Sequence, residues 1–373
     1  MTTGGGAKGF TTGSAAAAAS VAALRFLKGE GCSSVELLLP GGERLAVPVT
    51  GCARTENGSE AWVTKNAGDD PDVTHGAVVV SSIELFDSIE GAVCVEGGKG
   101  VGVVTKPGLP VAPGNPAINP GPMALIKESL KRELPEGSGI RTVISIPDGE
   151  TLAKRTYNPR LGIVGGLSIL GTTGIVSPMS SEAIVGTIRS ELSVLAASGA
   201  RMACLVPGNY GRRMAESLGV PDDRTVNVSN FIGESLGIVD ELGFETLIVI
   251  GQVGKFAKLS AGSLDTHSAK SDGRLEAIAA FSALHGATQG DVRRILDATT
   301  ADEAASEIAG YDWGRRALHE LVERVSAKVL AKAQGLRECA ALVFALPDRE
   351  LARTPNLARF VFEICENGGA GRK

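Results

Sequence analysis

An alternation of helix-like and strand-like segments in the second half of the chain limits the possible folds more than any other feature. A helical pattern over residues 182–197 is followed by a strand at Met202–Val206, and two more helices and two more strands follow by Ile250. Strands and helices that alternate in this way form βαβ units with parallel strands. We therefore predict a Rossmann-like α/β domain over residues 148–373, with added C-terminal helices and a last strand at residues 339–346.

The first half of the chain has several strand-like segments with few helices between them, so we predict an α+β domain over residues 1–147. Near its start, residues 15–24 form an apolar run that could pass for part of a signal peptide. Only Lys8 precedes this run, whereas threonine and serine residues typical of a helix N-cap stand directly before it. A buried, alanine-rich helix is the better interpretation.

Composition excludes several classes of protein. With a net charge of -5 and 4% aromatic residues, the chain has neither the basic surface nor the stacking side chains of a nucleic-acid binder. No apolar run reaches the roughly 18 residues of a membrane span. The six cysteines form no C-x-x-C pair, which favours reduced thiols in the cytoplasm over a zinc site or a disulfide framework. We expect a small-molecule ligand, and a homo-oligomer is possible.

Glycines are frequent, 49 of 373 residues, and five of them fall within residues 158–179. That segment contains a Gly-Thr-Thr-Gly turn at residues 171–174, which offers backbone N–H groups and two hydroxyls to a ligand. It is neither a Walker A loop nor a G-x-G-x-x-G fingerprint. The alternative is a tight hairpin between buried strands, and both interpretations stay open.

Two further constellations lie in the first half. Lys8, Thr12 and Gly13 stand at the beginning of the predicted first helix, where they could form an anion site or simply an N-cap. Asp69, Asp70 and His75 fall within one short loop and could bind a cation or an amino group, or move a proton. That loop could equally be an ordinary turn, since Gly, Asp and Pro are turn residues.

In the second half, two loops follow predicted parallel strands. One contains Gly208 and Asn209, and the other runs from Gly251 to Lys255. Ligands of open α/β sheets bind beyond the carboxyl ends of the strands, so both loops should line one crevice. His267 lies in a polar loop and could move a proton or be merely solvated, while His285 and His319 lie on predicted helices and are treated as structural.

Taken together, these blocks occur in an order that identifies a family. They are Thr11-Thr12-Gly13-Ser14, Gly68-Asp69-Asp70, Thr74-His75-Gly76, Gly100-Val101-Gly102 with Lys106, residues 158–179, Pro207-Gly208-Asn209, Ser229-Asn230-Phe231-Ile232-Gly233, Gly254-Lys255 and Thr266-His267-Ser268. The chain resembles the CbiD family of cobalt-precorrin-5B C(1)-methyltransferases, from about Lys8 to past Glu276. The resemblance implies methylation of carbon 1 of a corrin precursor, giving cobalt-precorrin-6A in anaerobic cobalamin biosynthesis.

The resemblance also implies S-adenosylmethionine (SAM) as cosubstrate, and we expect no protein-bound metal. The candidate catalytic residues are His75, His267 and Asp70. The candidate SAM-binding residues are Thr12, Gly13, Asp69, Gly171, Thr172, Thr173, Gly208, Asn209 and Gly251. The macrocycle carries acetate and propionate groups that require basic partners. The candidates for these are Lys8, Lys106, Arg160, Lys255 and Lys258.

The chain departs from the family pattern at three positions. Ala15 stands where a cysteine is common, Tyr210 replaces a histidine, and Gln252 replaces a second histidine. These departures motivate an alternative function, a tetrapyrrole carrier with the same fold but without catalysis. A nicotinamide enzyme ranks last, because the glycine fingerprint for a dinucleotide is missing.

Overall fold

The computed structural model describes residues 7–31, 33–178 and 180–368. The chain divides into two compact units, Met1–Ala183 and Ile184–Lys373, here called unit 1 and unit 2. In the described part of the chain, no helix combines the length and the apolar character that a membrane span requires.

The elements of unit 1 are β1 (Gly9–Phe10), α1 (Thr12–Leu27), β2 (Ser34–Leu38), β3 (Arg44–Pro48), β4 (Gly51–Arg54), β5 (Gly58–Thr64), β6 (Val78–Asp87), β7 (Val93–Gly97), β8 (Gly100–Val101), β9 (Val103–Val104), α2 (Pro120–Lys131), β10 (Ser138–Ser145), α3 (Gly149–Ala153), β11 (Ile163–Val164), β12 (Gly166–Leu167) and β13 (Ile175–Val176).

Unit 1 is built on a five-stranded sheet in the order β4-β5-β6-β10-β7. Neighbouring strands are antiparallel except β10 and β7, which are parallel. Helix α1 packs against this sheet and against α2, and its residues from Thr12 to Leu24 are all buried. The alanine side chains leave room for this close packing. The predicted buried, alanine-rich helix is therefore confirmed.

The division between the units falls later than the predicted boundary after residue 147. The cause is strand pairing: β11 pairs with β9, β12 with β8 and β13 with β1. Residues 163–176 thus return to strands in the first part of the chain. Two-residue strands of this kind leave too short a pattern for the sequence to reveal their partners.

The remaining elements are α4 (Ser181–Ala197), β14 (Met202–Val206), α5 (Asn209–Ser217), β15 (Thr225–Asn227), α6 (Ile232–Glu241), β16 (Thr246–Gln252), α7 (Val253–Ser260), α8 (Arg274–Leu284), α9 (Gln289–Asp297), α10 (Ala301–Ile308), α11 (Asp312–Lys332), β17 (Glu338–Ala345), β18 (Arg349–Arg353) and α12 (Leu357–Gly368).

Unit 2 is built on a sheet in the order β15-β14-β16-β17-β18, in which only β18 is antiparallel to its neighbour. Alternate residues of β14 enter different cores: Ala203 and Leu205 pack on one face, Cys204 and Val206 on the other. A sheet covered on both faces needs strands that are apolar throughout, as this strand is.

The strand predicted at residues 339–346 is confirmed as β17, but the expectation that it is the last strand is wrong. Strand β18 follows β17 and pairs with it at the edge of the sheet. Its sequence, Arg-Glu-Leu-Ala-Arg, is largely polar because an edge strand is partly exposed, and it therefore lacks the apolar run that reveals a buried strand.

Candidate active site

The Thr-Gly-Ser block at the beginning of α1 is bonded to the glycine-rich segment. The Thr12 hydroxyl accepts a hydrogen bond from the Leu170 N–H at 2.8 Å, and the Gly13 N–H donates to the Leu170 carbonyl at 2.9 Å. The Ser14 hydroxyl donates to the Gly174 carbonyl at 2.7 Å. These two predicted ligand sites therefore hold each other within unit 1, and Thr12 is buried between them.

The Gly171 to Thr173 turn is closed on its inner side. Gly171 has a φ of +134°, and a Cβ atom there would lie 2.3 Å from the Thr11 hydroxyl oxygen. Thr172 and Thr173 are exposed, and the Thr173 hydroxyl donates to the carbonyl of Ile175 at 3.1 Å. The two threonines can thus meet a ligand only at the surface. Met179, at the end of the predicted segment, lies outside the described residues.

A different turn of the same segment carries Arg160, one of the predicted cations, and Lys106, another predicted cation, packs against this turn. Asn158 is buried and its amide donates to the Gly166 carbonyl at 3.0 Å, which fixes the turn that carries Arg160. The stem of Lys106 lies against Gly162, where a Cβ atom would come within 2.5 Å of the Lys106 Cγ. Lys106 and Arg160 therefore border one turn, and Arg160 is half-buried there.

A buried lysine organises the acidic loop of unit 1. Lys65 is 2% exposed, and its ammonium donates to the carboxylate of Asp72 and, at 2.7 Å, to the Thr74 hydroxyl. The Asp72 carboxylate also accepts the Thr74 N–H at 2.7 Å. Burial alone would raise the pKa of Asp72, but the hydrogen bond and charge of Lys65 and the bonds from Thr74 together lower it. No role was predicted for Lys65 from the sequence.

The predicted acids and the histidine of this loop all take part in hydrogen bonds with the backbone. Asp69 is exposed, and its carboxylate accepts the Ala7 N–H at 2.6 Å. Asp70 is half-buried, with its N–H directed to the Ala67 carbonyl at 3.4 Å. His75 is exposed, and its Nδ1 accepts the Ala67 N–H at 3.2 Å. A neutral imidazole that accepts at Nδ1 carries its proton on Nε2.

A cleft of about 670 Å³ opens beside this loop, wholly within unit 1. Lys8, Asn66, His75 and Glu43 are among its polar lining residues. Its apolar lining includes Phe10, Leu45, Pro48 and Ile175. The structure thus brings two of the predicted residues, Lys8 and His75, to one cleft. Lys106 and Arg160 do not line it.

In unit 2, the loops after β14 and β15 are tied together by a lysine of α7. The Lys255 ammonium donates to the Pro207 carbonyl at 2.7 Å and to the Ser229 carbonyl at 3.3 Å. Burial lowers the pKa of Lys255, and the positive charge of Lys258 lowers it further. Within the described residues Lys255 forms no ion pair with a carboxylate. The predicted crevice at the carboxyl ends of the strands therefore contains a half-buried cation.

Space is open above Gly208, at the beginning of α5. Gly208 has a φ of +127°, and a Cβ atom there would meet the Lys255 Nζ at 4.0 Å and nothing closer. Asn209 is exposed beside it, and its side-chain oxygen accepts the amide of Asn227 at 3.4 Å. Ser229, in the next loop, has a φ of +52°, which is rare for a residue other than glycine. No sequence pattern predicts that strained position.

Gly251 occupies a different place from the other predicted loop residues. It lies within β16, opposite Val343, and a Cβ atom there would lie 2.2 Å from the Phe256 ring. Its neighbour Gln252 donates to the Asp302 carboxylate at 2.5 Å. A glycine is therefore required at position 251 for packing, whether or not a ligand reaches it.

The last two predicted residues are Lys258, near the end of α7, and His267, in the loop that follows α7. Lys258 is buried, and its ammonium donates to the carbonyls of Thr266 at 3.3 Å and Ser271 at 2.7 Å. His267 is exposed, and its Nδ1 accepts the Ala269 N–H at 3.1 Å. His267 is thus also an Nε2–H tautomer when neutral. Lys258 supports the loop from inside.

In the parts of the chain that are described, no three His, Cys, Asp or Glu side chains are grouped so that they could hold a metal ion. The described cysteines are all free thiols, and Cys32 lies outside the described residues. Burial raises the pKa of both Cys204 and Cys339 to about 12. Both thiols therefore stay protonated and unreactive near neutral pH.

Comparisons with known proteins agree with the blocks identified in the sequence. The family described as CbiD matches residues 3–178, and the one described as CbiD, C-terminal domain, matches residues 265–355. A relative from Thermoanaerobacter sp. (strain X514), named cobalt-precorrin-5B C(1)-methyltransferase, is 47% identical over 297 residues, covering 79% of this chain and 81% of its own. A relative of the same name from Alkaliphilus metalliredigens (strain QYMF) is 38% identical and covers 97% of this chain and 95% of its own. A crystal structure of a cobalamin biosynthesis protein (cbiD) from Archaeoglobus fulgidus is 30% identical over 70% of this chain and 82% of its own, with a TM-score of 0.38.

Proposed function

We propose that this chain, which belongs to the CbiD family, is a SAM-dependent methyltransferase that acts on carbon 1 of cobalt-precorrin-5B in cobalamin biosynthesis. The observation that carries this function is the family match across both units, together with relatives of that name at 38–47% identity. The departure from the family pattern at Ala15 does not remove a group that contacts a ligand. Ala15 is fully buried inside α1, where no side chain could reach a substrate.

The reaction requires few chemically reactive groups from the protein. SAM supplies, when bound, a methyl group that its sulfonium already activates for in-line transfer to a nucleophilic ring carbon. The protein has to bind both molecules, align them and exclude water. His75 and His267 both have Nδ1 engaged by a backbone N–H. We therefore assign them the role of Nε2–H donors rather than of bases that remove a proton.

We further propose that unit 2 is a Rossmann-like, doubly wound domain and that SAM binds at its switch point. The parallel order β15-β14-β16-β17 supports this, because the direction of strand addition reverses between β14 and β16. The open space above Gly208, the exposed Asn209 and the ammonium of Lys255 all lie at that edge. These groups fit a ligand that combines polar atoms with a carboxylate.

The position of Lys255 changes its proposed partner. Lys255 was predicted to bind the macrocycle, but its Nζ lies 4.0 Å from the Cβ position at Gly208. A ligand that contacts Gly208 therefore contacts Lys255 as well. We propose that Lys255 pairs with the carboxylate of SAM, since the ammonium lacks a carboxylate partner in the described structure.

Substitution of Lys255 tests this assignment. Lys255→Met should weaken SAM binding about tenfold or more, because a half-buried charge pair would be lost. Isothermal titration calorimetry with SAM measures the change. Lys106→Met serves as the control, since Lys106 lies in unit 1 and should leave SAM binding unaltered. If the Lys255→Met protein bound SAM with unchanged affinity but bound the substrate more weakly, Lys255 would instead be a partner of the macrocycle.

The function itself is tested by incubating the protein with SAM and cobalt-precorrin-5B and analysing the product by mass spectrometry. We expect the gain of one methyl group and the release of S-adenosylhomocysteine. Calorimetry with SAM alone separates the enzyme from a tetrapyrrole carrier, because a carrier has no need to bind SAM. A protein that binds the macrocycle but neither binds SAM nor methylates would refute the enzyme.

A further inference from the structure

Two of the side chains that line the cleft of unit 1, Asn66 and His75, use acceptor atoms to hold the loop backbone and keep donors for a ligand. The Asn66 side-chain oxygen accepts the Gly68 N–H at 2.8 Å, and His75 Nδ1 accepts the Ala67 N–H at 3.2 Å. The loop backbone therefore occupies the single acceptor of a neutral His75 and one lone pair of the Asn66 oxygen. The donors that remain are the Asn66 amide Nδ2 and the His75 Nε2–H, and both residues line the cleft.

The ammonium of Lys8 adds a third donor to the same cleft. Lys8 is exposed, lines the cleft, and forms no ion pair within the described part of the chain. Its backbone is held in place by a bridge to Gly68, in the loop that carries Asn66 and His75. An ammonium has three donors and no acceptor, so Lys8 offers the ligand hydrogen-bond donors, as Asn66 Nδ2 and His75 Nε2–H do.

The loop that presents these donors is fixed from inside. The buried Lys65 ammonium bonds to Asp72 and Thr74, and the Lys65 backbone pairs with Gly76 and Ala77 on the far side of the loop. Asn66 and His75 directly adjoin these fixed positions. Lys65 is therefore a positioning residue, and the donors are set before a ligand arrives.

The cleft also has an apolar wall formed by Phe10, Leu45, Pro48 and Ile175. Thr50 and Thr64 line it as well, and their hydroxyls bond to each other at 3.0 Å. The three donors favour a ligand group that accepts hydrogen bonds, and the apolar wall favours a hydrocarbon body. We propose that this cleft binds a carboxylate side chain of the macrocycle, with the adjoining ring edge on the apolar wall. The proposal rests on the proposed function for the identity of the macrocycle, and it assigns His75 and Asn66 to substrate recognition.

Glu43 allows the sign of the ligand's charge to be tested, because this acidic residue also lines the cleft. An anionic ligand is repelled by Glu43, so Glu43→Gln should bind that ligand more tightly. A cationic ligand, such as the ammonium end of SAM, would be held by Glu43 and would bind more weakly to the same variant. The direction of this single change therefore distinguishes the two charges.

The experiment is an absorbance titration of the full chain with cobyrinic acid, a corrin with free carboxylates, and with its methyl ester. Lys8→Met and His75→Leu should each weaken cobyrinic acid binding about tenfold, since each removes a charge-assisted hydrogen bond. His75→Gln, which retains an N–H donor, should stay within about threefold of the unsubstituted protein. Glu43→Gln should tighten binding about threefold. None of the four changes should affect the methyl ester.

Nitrogen-15 NMR tests His75 directly: the neutral ring should carry its proton on Nε2 and none on Nδ1, and the Nε2 signal should shift when cobyrinic acid is added, which a purely structural His75 would not show. The proposal is overturned by the opposite tautomer, by cobyrinic acid that fails to bind, or by Lys8→Met and His75→Leu proteins that bind it normally. Weaker binding in Glu43→Gln also overturns it. Methyl transfer by the unsubstituted protein is measured separately, so a loss of the proposed function and a failure of this cleft assignment give different results.

Discussion

At the scale of single residues, the Lys65–Asp72 pair explains why an acidic loop can be ordered. Lys65 is almost wholly buried, whereas the Asp72 side chain is 27% exposed, so Asp72 is in contact with solvent and Lys65 is not. Removing one partner of such a pair leaves the other charge without compensation. The pair therefore stabilises the loop only while both members are present.

Substitution of the lysine should be costly. Lys65→Met should lower the free energy of unfolding by about 2–3 kcal/mol, below the full cost of a completely buried pair because Asp72 is partly solvated. Urea unfolding followed by circular dichroism measures this. The double variant Lys65→Met/Asp72→Asn should recover part of the loss, since it leaves no unpaired charge. Arg44→Met, which breaks an exposed pair with Glu36, is the control and should cost no more than about 1 kcal/mol.

The lowered pKa of Asp72 has a consequence for acid stability. A carboxyl whose pKa is lower in the folded protein contributes stability above its unfolded pKa of about 3.9, and that contribution is lost as the pH falls through the folded value. Asp72→Asn should therefore be less stable than the unsubstituted protein near pH 7. The difference should shrink as the pH falls below about 4. Urea midpoints across this range test it, and a constant difference would contradict the assignment.

At the scale of elements, the beginning of α1 and the 170–174 turn form one interlocked structure. Gly171 is the tightest point of contact, because a Cβ atom there would overlap the Thr11 side chain. Gly165, in the same segment, also has a positive φ of +81°, but nothing lies within 4 Å of its Cβ position. Both glycines therefore have a positive φ, but only at Gly171 would a Cβ atom also overlap a neighbouring side chain.

These two glycines give a matched pair of substitutions. Gly165→Ala should cost about 1 kcal/mol, the price of a positive φ for a residue with a Cβ atom. Gly171→Ala should cost about 2–4 kcal/mol, because steric overlap with Thr11 is added to the backbone strain. Thermal or urea unfolding measures both. Equal losses would show that the turn can shift away from α1, and that the two blocks are less firmly held than their hydrogen bonds indicate.

Sequence patterns predicted the elements that have a long period or a clear cap. Helix α1, its Thr11 cap and the apolar strand β16 were all predicted on that basis. The pairing of β11, β12 and β13 was not, because two-residue strands carry no periodic signal. The candidate site could likewise be predicted only in part. The sequence identified His75 and Lys8 as polar candidates, but the tautomer of His75 depends on a hydrogen bond from Ala67 that no spacing reveals.

At the scale of the whole molecule, each unit has a hydrophobic core of its own. The core of unit 1 centres on α1 and the five-stranded sheet, with Leu24, Ile83 and Ile144 fully buried. The cores of unit 2 lie on both faces of its sheet, with Phe256 on one side and Phe360 on the other. A segment that buries its own core can fold alone. We therefore expect residues 1–183 and 184–373 to be separately stable.

This independence allows the SAM site to be located by dissection. Gly208, Asn209 and Lys255 all belong to unit 2, so residues 184–373 expressed alone should unfold cooperatively in urea and bind SAM within about tenfold of the full chain. Residues 1–183 should fold but not bind SAM. The Lys255→Met change in the isolated unit should weaken SAM binding about tenfold or more, as in the full chain. A folded unit 2 that fails to bind SAM would mean that Thr12, Asp69 or other groups of unit 1 are part of the site. The turn at Gly171 would then regain the direct role that its sequence suggested.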